Sequence, residues 1–180
     1  MIERRIAREW AVQALCAFEF NRPGYIEPAL QSFWGFLLDI ERTALNEIER
    51  GVYRRKIKPT PLLTLEDEAS LEKVAKMKEF AERRVKGVLG EIKQIDAALT
   101  PCLNNWSLYR LGAVERNVMR LGAWEMKHVA ADAPAAVIIN EAVDITKFFS
   151  TATSGRFVNA VLDHLRRNLE EEGIIIPDGK

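Results

Sequence analysis

The chain has 180 residues, equal numbers of acidic and basic side chains (26 each) and 48% apolar residues. This apolar share excludes an intrinsically disordered protein, and the length allows one domain with a sizeable core. A net charge of zero excludes nucleic-acid binding that relies on overall charge, so any such binding must come from local basic clusters.

Helical periodicity dominates the N-terminal half of the chain. It predicts a first helix over residues 3–20, which a proline–glycine stop ends, and a second over 25–50. Two prolines in a basic stretch exclude regular helix and mark a linker at 50–66. Thr64 is predicted to cap a third helix that runs to about residue 99. Its predicted inward-facing residues are Leu71, Val74, Phe80, Val88, Leu89, Ile92 and Ile95.

The C-terminal half predicts three closely spaced helices. The first covers residues 113–128, and the second starts at Pro134, a residue well suited to a first helical turn, and ends at about 149. The third begins near Thr153 and Ser154, which are predicted to cap it. No strand alternation occurs in the sequence, so the predicted class is all-α, as one bundle or two joined bundles.

Catalytic and metal-binding patterns are missing from the sequence. His128 and His164 are isolated, and Cys16 and Cys102 do not form a ligand pair, so we predict no metal site, no cofactor and two buried, reduced thiols. The segment Gly87–Gly90 has the spacing of a short RNA-binding loop, but it lies within helical periodicity and predicts close helix packing. The sequence gives no indication of a nucleophile paired with a general base, so we predict no enzyme activity.

Targeting signals are also missing. The N-terminal residues lack the apolar run and the small-residue cleavage site of a secretory signal. No apolar stretch is long enough for a bilayer. We therefore predict a cytoplasmic protein without a membrane partner.

The basic side chains of the first helix form the most compact charged cluster. Arg4 and Arg8 lie about 40° apart on a helical wheel, and Arg5 falls within the same arc. Because the apolar residues that follow require burial, we expect this arginine turn to project outward as a phosphate-binding patch. A solvated helix start is the alternative. Replacing all three arginines with alanine is expected to weaken RNA binding without unfolding the protein.

A second basic stripe is predicted on the helix over residues 113–128. Arg116, Arg120 and Lys127 fall within about 40° of one another, opposite the apolar face. A solvated face and a binding surface both fit this pattern.

Four motifs, in order, resemble the NusB family of transcription antitermination factors. They occupy residues 7–15, 114–125, 134–147 and 156–163. The resemblance implies a NusB-like helical bundle of two three-helix subdomains packed together in a single domain over 1–180. For this chain we predict an N-terminal subdomain over residues 1–100, a C-terminal subdomain over 101–172 and a tail over 173–180.

The resemblance further implies a function in ribosomal RNA synthesis. The family binds the single-stranded boxA element of nascent transcripts jointly with NusE, a ribosomal small-subunit protein, and acts indirectly on the RNA polymerase antitermination complex. Carried over by position, the implied RNA-binding residues are Arg4, Arg5, Arg8, Arg156 and Phe157. The implied NusE-binding residues are Glu115, Arg116 and Arg120.

Two alternative functions stay open at this point. The same helical module stands at the N-terminus of some ribosomal RNA cytosine methyltransferases. The interpretation that this chain comes from such an enzyme requires the sequence to be a fragment. A helical protein-interaction module without RNA binding is the other alternative, because Cys16 stands where many family members have a tyrosine that contacts RNA. The resemblance also leaves homodimerisation through exposed apolar surface open.

Overall fold

The structure is a computed structural model that describes residues 2–21, 24–49, 68–129 and 133–176. Within these ranges the chain is all-α and contains no strand. Its helices are α1 (Ile2–Asn21), α2 (Ile26–Glu49), α3 (Glu68–Gly90), α4 (Ile92–Leu99), α5 (Ala113–His128), α6 (Ala135–Phe149) and α7 (Ala152–Glu171).

Helix α1 packs against both α3 and α5. Its apolar stretch is buried as predicted, and Trp10, at its start, is 1% exposed. The Trp10 ring meets Trp34 of α2 edge-on, with centroids 6.0 Å apart. Because α1 contacts helices from both halves of the chain, one hydrophobic core serves the whole described molecule. The predicted subdomain boundary near residue 100 stays a prediction.

Helices α5, α6 and α7 pack on one another in the C-terminal half. The predicted bounds of α5 are confirmed. Helix α6 begins at Ala135, one residue later than predicted, and Pro134 occupies its N-cap position without a side-chain hydrogen bond. The predicted caps of α7 are wrong by two to three residues. Thr151 is the N-cap, and its hydroxyl accepts a hydrogen bond from the backbone N–H of Ser154 at 3.0 Å.

The predicted third helix is interrupted at Glu91, where α3 ends and α4 begins. The prediction for Leu71 is also wrong. The periodicity placed this residue on the inward face, but it is 53% exposed. The Thr64 cap and the linker at 50–66 fall outside the described residues. Within the described ranges, no helix has the length and apolar character needed to cross a membrane.

Close packing at the end of α3 confirms the interpretation of Gly87. A Cβ atom added to Gly87 would lie closer than 3.0 Å to the indole ring of Trp124 in α5. Gly90, three residues later, has nothing within 4 Å of such an atom. Only the first glycine of the pair is therefore required by the packing.

Glu91 joins the α3–α4 break to the end of α5. Its carboxylate accepts hydrogen bonds from Lys127 Nζ at 3.0 Å and His128 Nε2 at 2.7 Å, and these bonds lower the pKa of Glu91. A depressed carboxylate pKa stabilises the fold above the unfolded pKa, and this contribution is lost as pH falls through the folded pKa.

We therefore expect Glu91→Gln to lower the free energy of unfolding at pH 7 by about 0.5 kcal/mol, because the pair is partly exposed. Urea titrations at several pH values measure the difference, which should shrink to zero once the pH lies below the pKa of Glu91. A difference that persists at that acid pH would contradict a role for the carboxylate charge.

Candidate nucleic-acid interface

The first turn of α1 presents two arginines at the surface. Arg4 is exposed. Arg5 keeps 35% of its side chain exposed and forms ion pairs with Glu9 at 3.3 Å and with Asp144 of α6 at 3.1 Å. The second of these pairs ties the start of the chain to a helix 139 residues away.

Asp144 also connects this turn to the start of α7. Its other carboxylate oxygen pairs with Lys147 at 3.6 Å. The aliphatic part of Lys147 lies against Gly155, where an added Cβ would meet its Cγ at 2.9 Å. The next residue, Arg156, is exposed and donates a hydrogen bond to Thr153 Oγ1 at 3.2 Å.

These contacts link α1, α6 and α7 at a surface that holds several basic side chains, of which Arg5 and Lys147 pair with Asp144. We call this surface the α1/α7 surface, and it comprises Arg4, Arg5, Lys147, Arg156 and Phe157. Phe157 is half-buried and packs against the core, so it supports this surface and leaves part of its ring open. Three exposed cations together can fix the phosphates of a nucleic-acid strand.

Lys147 is the member of this surface that the sequence did not reveal. It stands three residues from Asp144 on α6, a spacing that normally indicates a solvated helical pair. Only the fold, which brings α1 and α7 to the same side of α6, shows that Lys147 lies with the basic residues of those two helices.

The prediction that three arginines form an outward patch is wrong for Arg8. It is 5% exposed, and its Nε donates to both carboxylate oxygens of Glu125 in α5, at 3.0 and 2.9 Å. Arg84 of α3 donates to the same carboxylate, and its guanidinium lies 3.2 Å from the centroid of the Phe80 ring. Burial lowers the pKa of Arg84, against the opposing effect of Glu125. Arg8 is a structural residue, so removing it is expected to destabilise the protein, contrary to the prediction for the triple variant.

The prediction of an exposed basic stripe on α5 is wrong for Arg116 and Arg120, because their side chains are 8% and 3% exposed. Arg116 pairs with Glu19 of α1 at 2.6 Å, and Arg120 donates to both oxygens of Asp96 in α4, at 2.7 and 2.8 Å. These ion pairs join α1, α4 and α5. Their burial leaves neither guanidinium available to a partner at the surface.

Glu115 lies in the first turn of α5, where it is half-buried and contacts the residue just before α7. Its carboxylate accepts a hydrogen bond from Ser150 Oγ at 2.6 Å. Burial raises the pKa of Glu115, but hydrogen bonds from Ser150, Ser154 and its own backbone N–H outweigh that effect and lower it. An ionised carboxylate therefore sits beside the α1/α7 surface, where it can receive a basic group from a partner. Its role in binding NusE stays a prediction.

Both cysteines are free thiols. Cys16 is half-buried between α1 and α5, where its thiol donates to the Ala113 carbonyl at 3.5 Å. Burial raises the pKa of Cys16 and of Cys102, so both thiols are protonated at neutral pH and poorly nucleophilic. Among the described residues, no cluster of histidine, cysteine, aspartate or glutamate could hold a metal ion.

Comparison with known sequences gives consistent matches. The model of the NusB family matches residues 60–167. The transcription antitermination protein NusB of Syntrophotalea carbinolica is 32% identical over 91% of this chain and 92% of its own length. The protein of the same name from Pseudothermotoga lettingae is 39% identical over 60% of this chain and 76% of its own length.

Solved structures with a similar fold agree with the sequence matches. A crystal form of T. maritima NusB superimposes with a TM-score of 0.63 at 29% identity, covering 91% of this chain and 90% of that one. A chain in the crystal structure of the antitermination factors NusB and NusE in complex with double-stranded RNA gives a TM-score of 0.61 at 21% identity, covering 93% of this chain and 98% of that one. The second likeness shows a shared fold.

Proposed function

The chain belongs to the NusB family, and from that premise we propose that it is a transcription antitermination factor that binds boxA-type single-stranded RNA together with NusE. The relatives that it resembles carry the name of antitermination proteins. A member of the same fold has been crystallised with NusE and double-stranded RNA. The proposal includes a cytoplasmic location, an indirect action on RNA polymerase and no catalytic activity.

The observation that carries this proposal is the α1/α7 surface. Arg4, Lys147 and Arg156 come from three helices and are all exposed. Cations that converge from distant parts of a chain neutralise successive phosphates, and Phe157 beside Arg156 offers part of a ring to a base. A local surface of this kind explains how a chain with zero net charge binds RNA. Glu115, next to this surface, is the residue that we assign to NusE.

Replacing Arg4 or Arg156 with alanine is expected to weaken binding of a boxA-like RNA roughly fivefold each, because each change removes about 1 kcal/mol of charge-assisted bonding. The slope of log affinity against log salt should flatten by about 0.7 for each phosphate that the variant no longer neutralises. Fluorescence anisotropy with a labelled RNA of twelve nucleotides, with and without NusE, measures both quantities.

Arg167→Ala is the matched control for these variants. Arg167 lies on α7 with Arg156, and its side chain is 58% exposed, but it stands about 16 Å further along the helix. Its replacement should leave RNA affinity and the salt slope unchanged. Equal losses in the Arg156 and Arg167 variants would indicate a general charge effect and contradict the assigned surface. Failure of the native protein to prefer boxA-like over scrambled RNA would favour the protein-interaction module.

A further inference from the structure

The connection between α4 and α5 exposes two aromatic rings beside an arginine. Trp106 is 61% exposed, Tyr109 is 73% exposed, and Arg110 follows directly. The other three tryptophans of the chain are at most 6% exposed. Tryptophan and tyrosine are enriched at binding surfaces, because each combines a flat apolar ring with a polar group.

The backbone beneath these rings is held firmly. Leu108 anchors it in the core at 3% exposure, and Arg116 Nη1 donates to the carbonyls of Leu108 and Leu111 at 3.1 and 2.8 Å. The Tyr109 hydroxyl donates to Asp96 Oδ2 at 3.1 Å, which fixes one end of its ring. A rigid support lowers the entropic cost when a ligand stacks on the rings.

The chemistry of the connection matches single-stranded nucleic acid. Its residues Leu103 and Leu108 are buried and Leu111 is partly buried, whereas the polar residues Asn104 and Ser107 beside the rings are exposed. Flat rings beside an arginine fit bases that stack and phosphates that need a cation.

The connection leads directly into the start of α5, which contacts the residue just before α7. Residue 113 begins α5, whose first turn carries Glu115. Glu115 bonds Ser150, which immediately precedes the N-cap Thr151 of α7. Arg156 stands in the second turn of that helix. The aromatic pair therefore lies a few residues before the helix start that contacts the residue just before α7.

We propose that Trp106 and Tyr109 form a second RNA contact, in which the rings stack on bases of the single strand and Arg110 binds a phosphate. This inference rests on the proposed function and adds to it a site outside the α1/α7 surface. The strand would be fixed by cations at one end and by base stacking at the other. Such stacking is tolerant of sequence, since every base presents a flat face.

Trp106 provides a direct readout, because it is the one exposed tryptophan of the four, all of which lie in the described part of the chain. Titration with the unlabelled boxA-like RNA should quench the tryptophan emission of the native protein. The quenching should disappear in Trp106→Phe, which keeps a ring in place. In anisotropy, Trp106→Ala and Tyr109→Ala should each weaken the RNA complex roughly tenfold.

Salt dependence separates stacking from charge. Trp106→Ala should lower affinity without changing the salt slope, because stacking releases no counterions, whereas Arg110→Ala should flatten the slope by about 0.7. Phe36→Ala is the matched control, since Phe36 is 66% exposed and lies on α2, away in sequence from the α4–α5 connection. It should change neither affinity nor slope.

The outcomes distinguish this inference from the proposed function. RNA binding that depends on Arg4 and Arg156, with unchanged Trp106 emission and full affinity in Trp106→Ala, would overturn the second contact and leave the proposed function standing. Loss of NusE binding in Trp106→Ala with unchanged RNA affinity would overturn it in favour of a protein contact. If the native protein binds no RNA, both proposals fail.

Discussion

Replacing Glu125 with glutamine is expected to lower the free energy of unfolding by roughly 3–5 kcal/mol, because two buried arginines lose their shared counter-charge. Glu125 is 1% exposed, and Arg8 and Arg84 are each 5% exposed. Their Nε atoms bond the same carboxylate. Glutamine keeps the shape of the side chain but leaves two cations in the core without an anion.

Urea denaturation of two further variants tests this interpretation. Arg8→Met should cost less than Glu125→Gln, because it leaves Arg84 and Glu125 as a balanced pair. Glu72→Gln removes a carboxylate from an exposed pair with Lys76 and should not shift the unfolding midpoint. A Glu125 variant as stable as the Glu72 variant would show that the two arginines do not need the carboxylate.

Replacing Gly87 with alanine is expected to lower the free energy of unfolding by roughly 2–3 kcal/mol, the cost of overpacking a tight contact. The added methyl group would overlap the indole ring of Trp124, which is 6% exposed and stacks on His128 with centroids 5.0 Å apart. A large ring held on both sides cannot move aside cheaply. The loss exceeds the gain of about 1 kcal/mol in helix propensity that alanine brings.

Gly90→Ala is the matched control for this change. Gly90 lies on the same helix with open space around it, so alanine there should leave stability unchanged or raise it by up to about 1 kcal/mol. Thermal or urea unfolding of the two variants gives the comparison. Equal behaviour of the two would mean that α3 and α5 are not in close contact at Gly87.

Helices with a clear apolar stripe were predictable from the sequence alone. The bounds of α5 agree with the prediction, and the start of α6 follows from Pro134. These features depend on neighbouring residues, which the sequence displays directly. The interruption of the third helix was not predictable in this way. It occurs at Glu91, whose partners Lys127 and His128 belong to another helix.

The candidate site shows the same division. The sequence identified Arg4, Arg5 and Arg156 as basic residues near helix starts; in the structure Arg4 and Arg156 are exposed and Arg5 is half-buried, and their role in binding RNA stays a prediction. The sequence could not show that Arg8 is buried or that Lys147 joins the α1/α7 surface. A helical wheel describes one helix without its neighbours. It therefore cannot show that a charged side chain is buried against another helix.

The sequence by itself determined the helical class, most helix bounds and the family, because these follow from local periodicity and from motifs of adjacent residues. Only the tertiary structure decided which charges face water. Glu125 lies 117 residues from Arg8, and Asp96 lies 24 residues from Arg120. A buried arginine is stable only where a carboxylate from another helix meets it, and that meeting is a property of the packed fold.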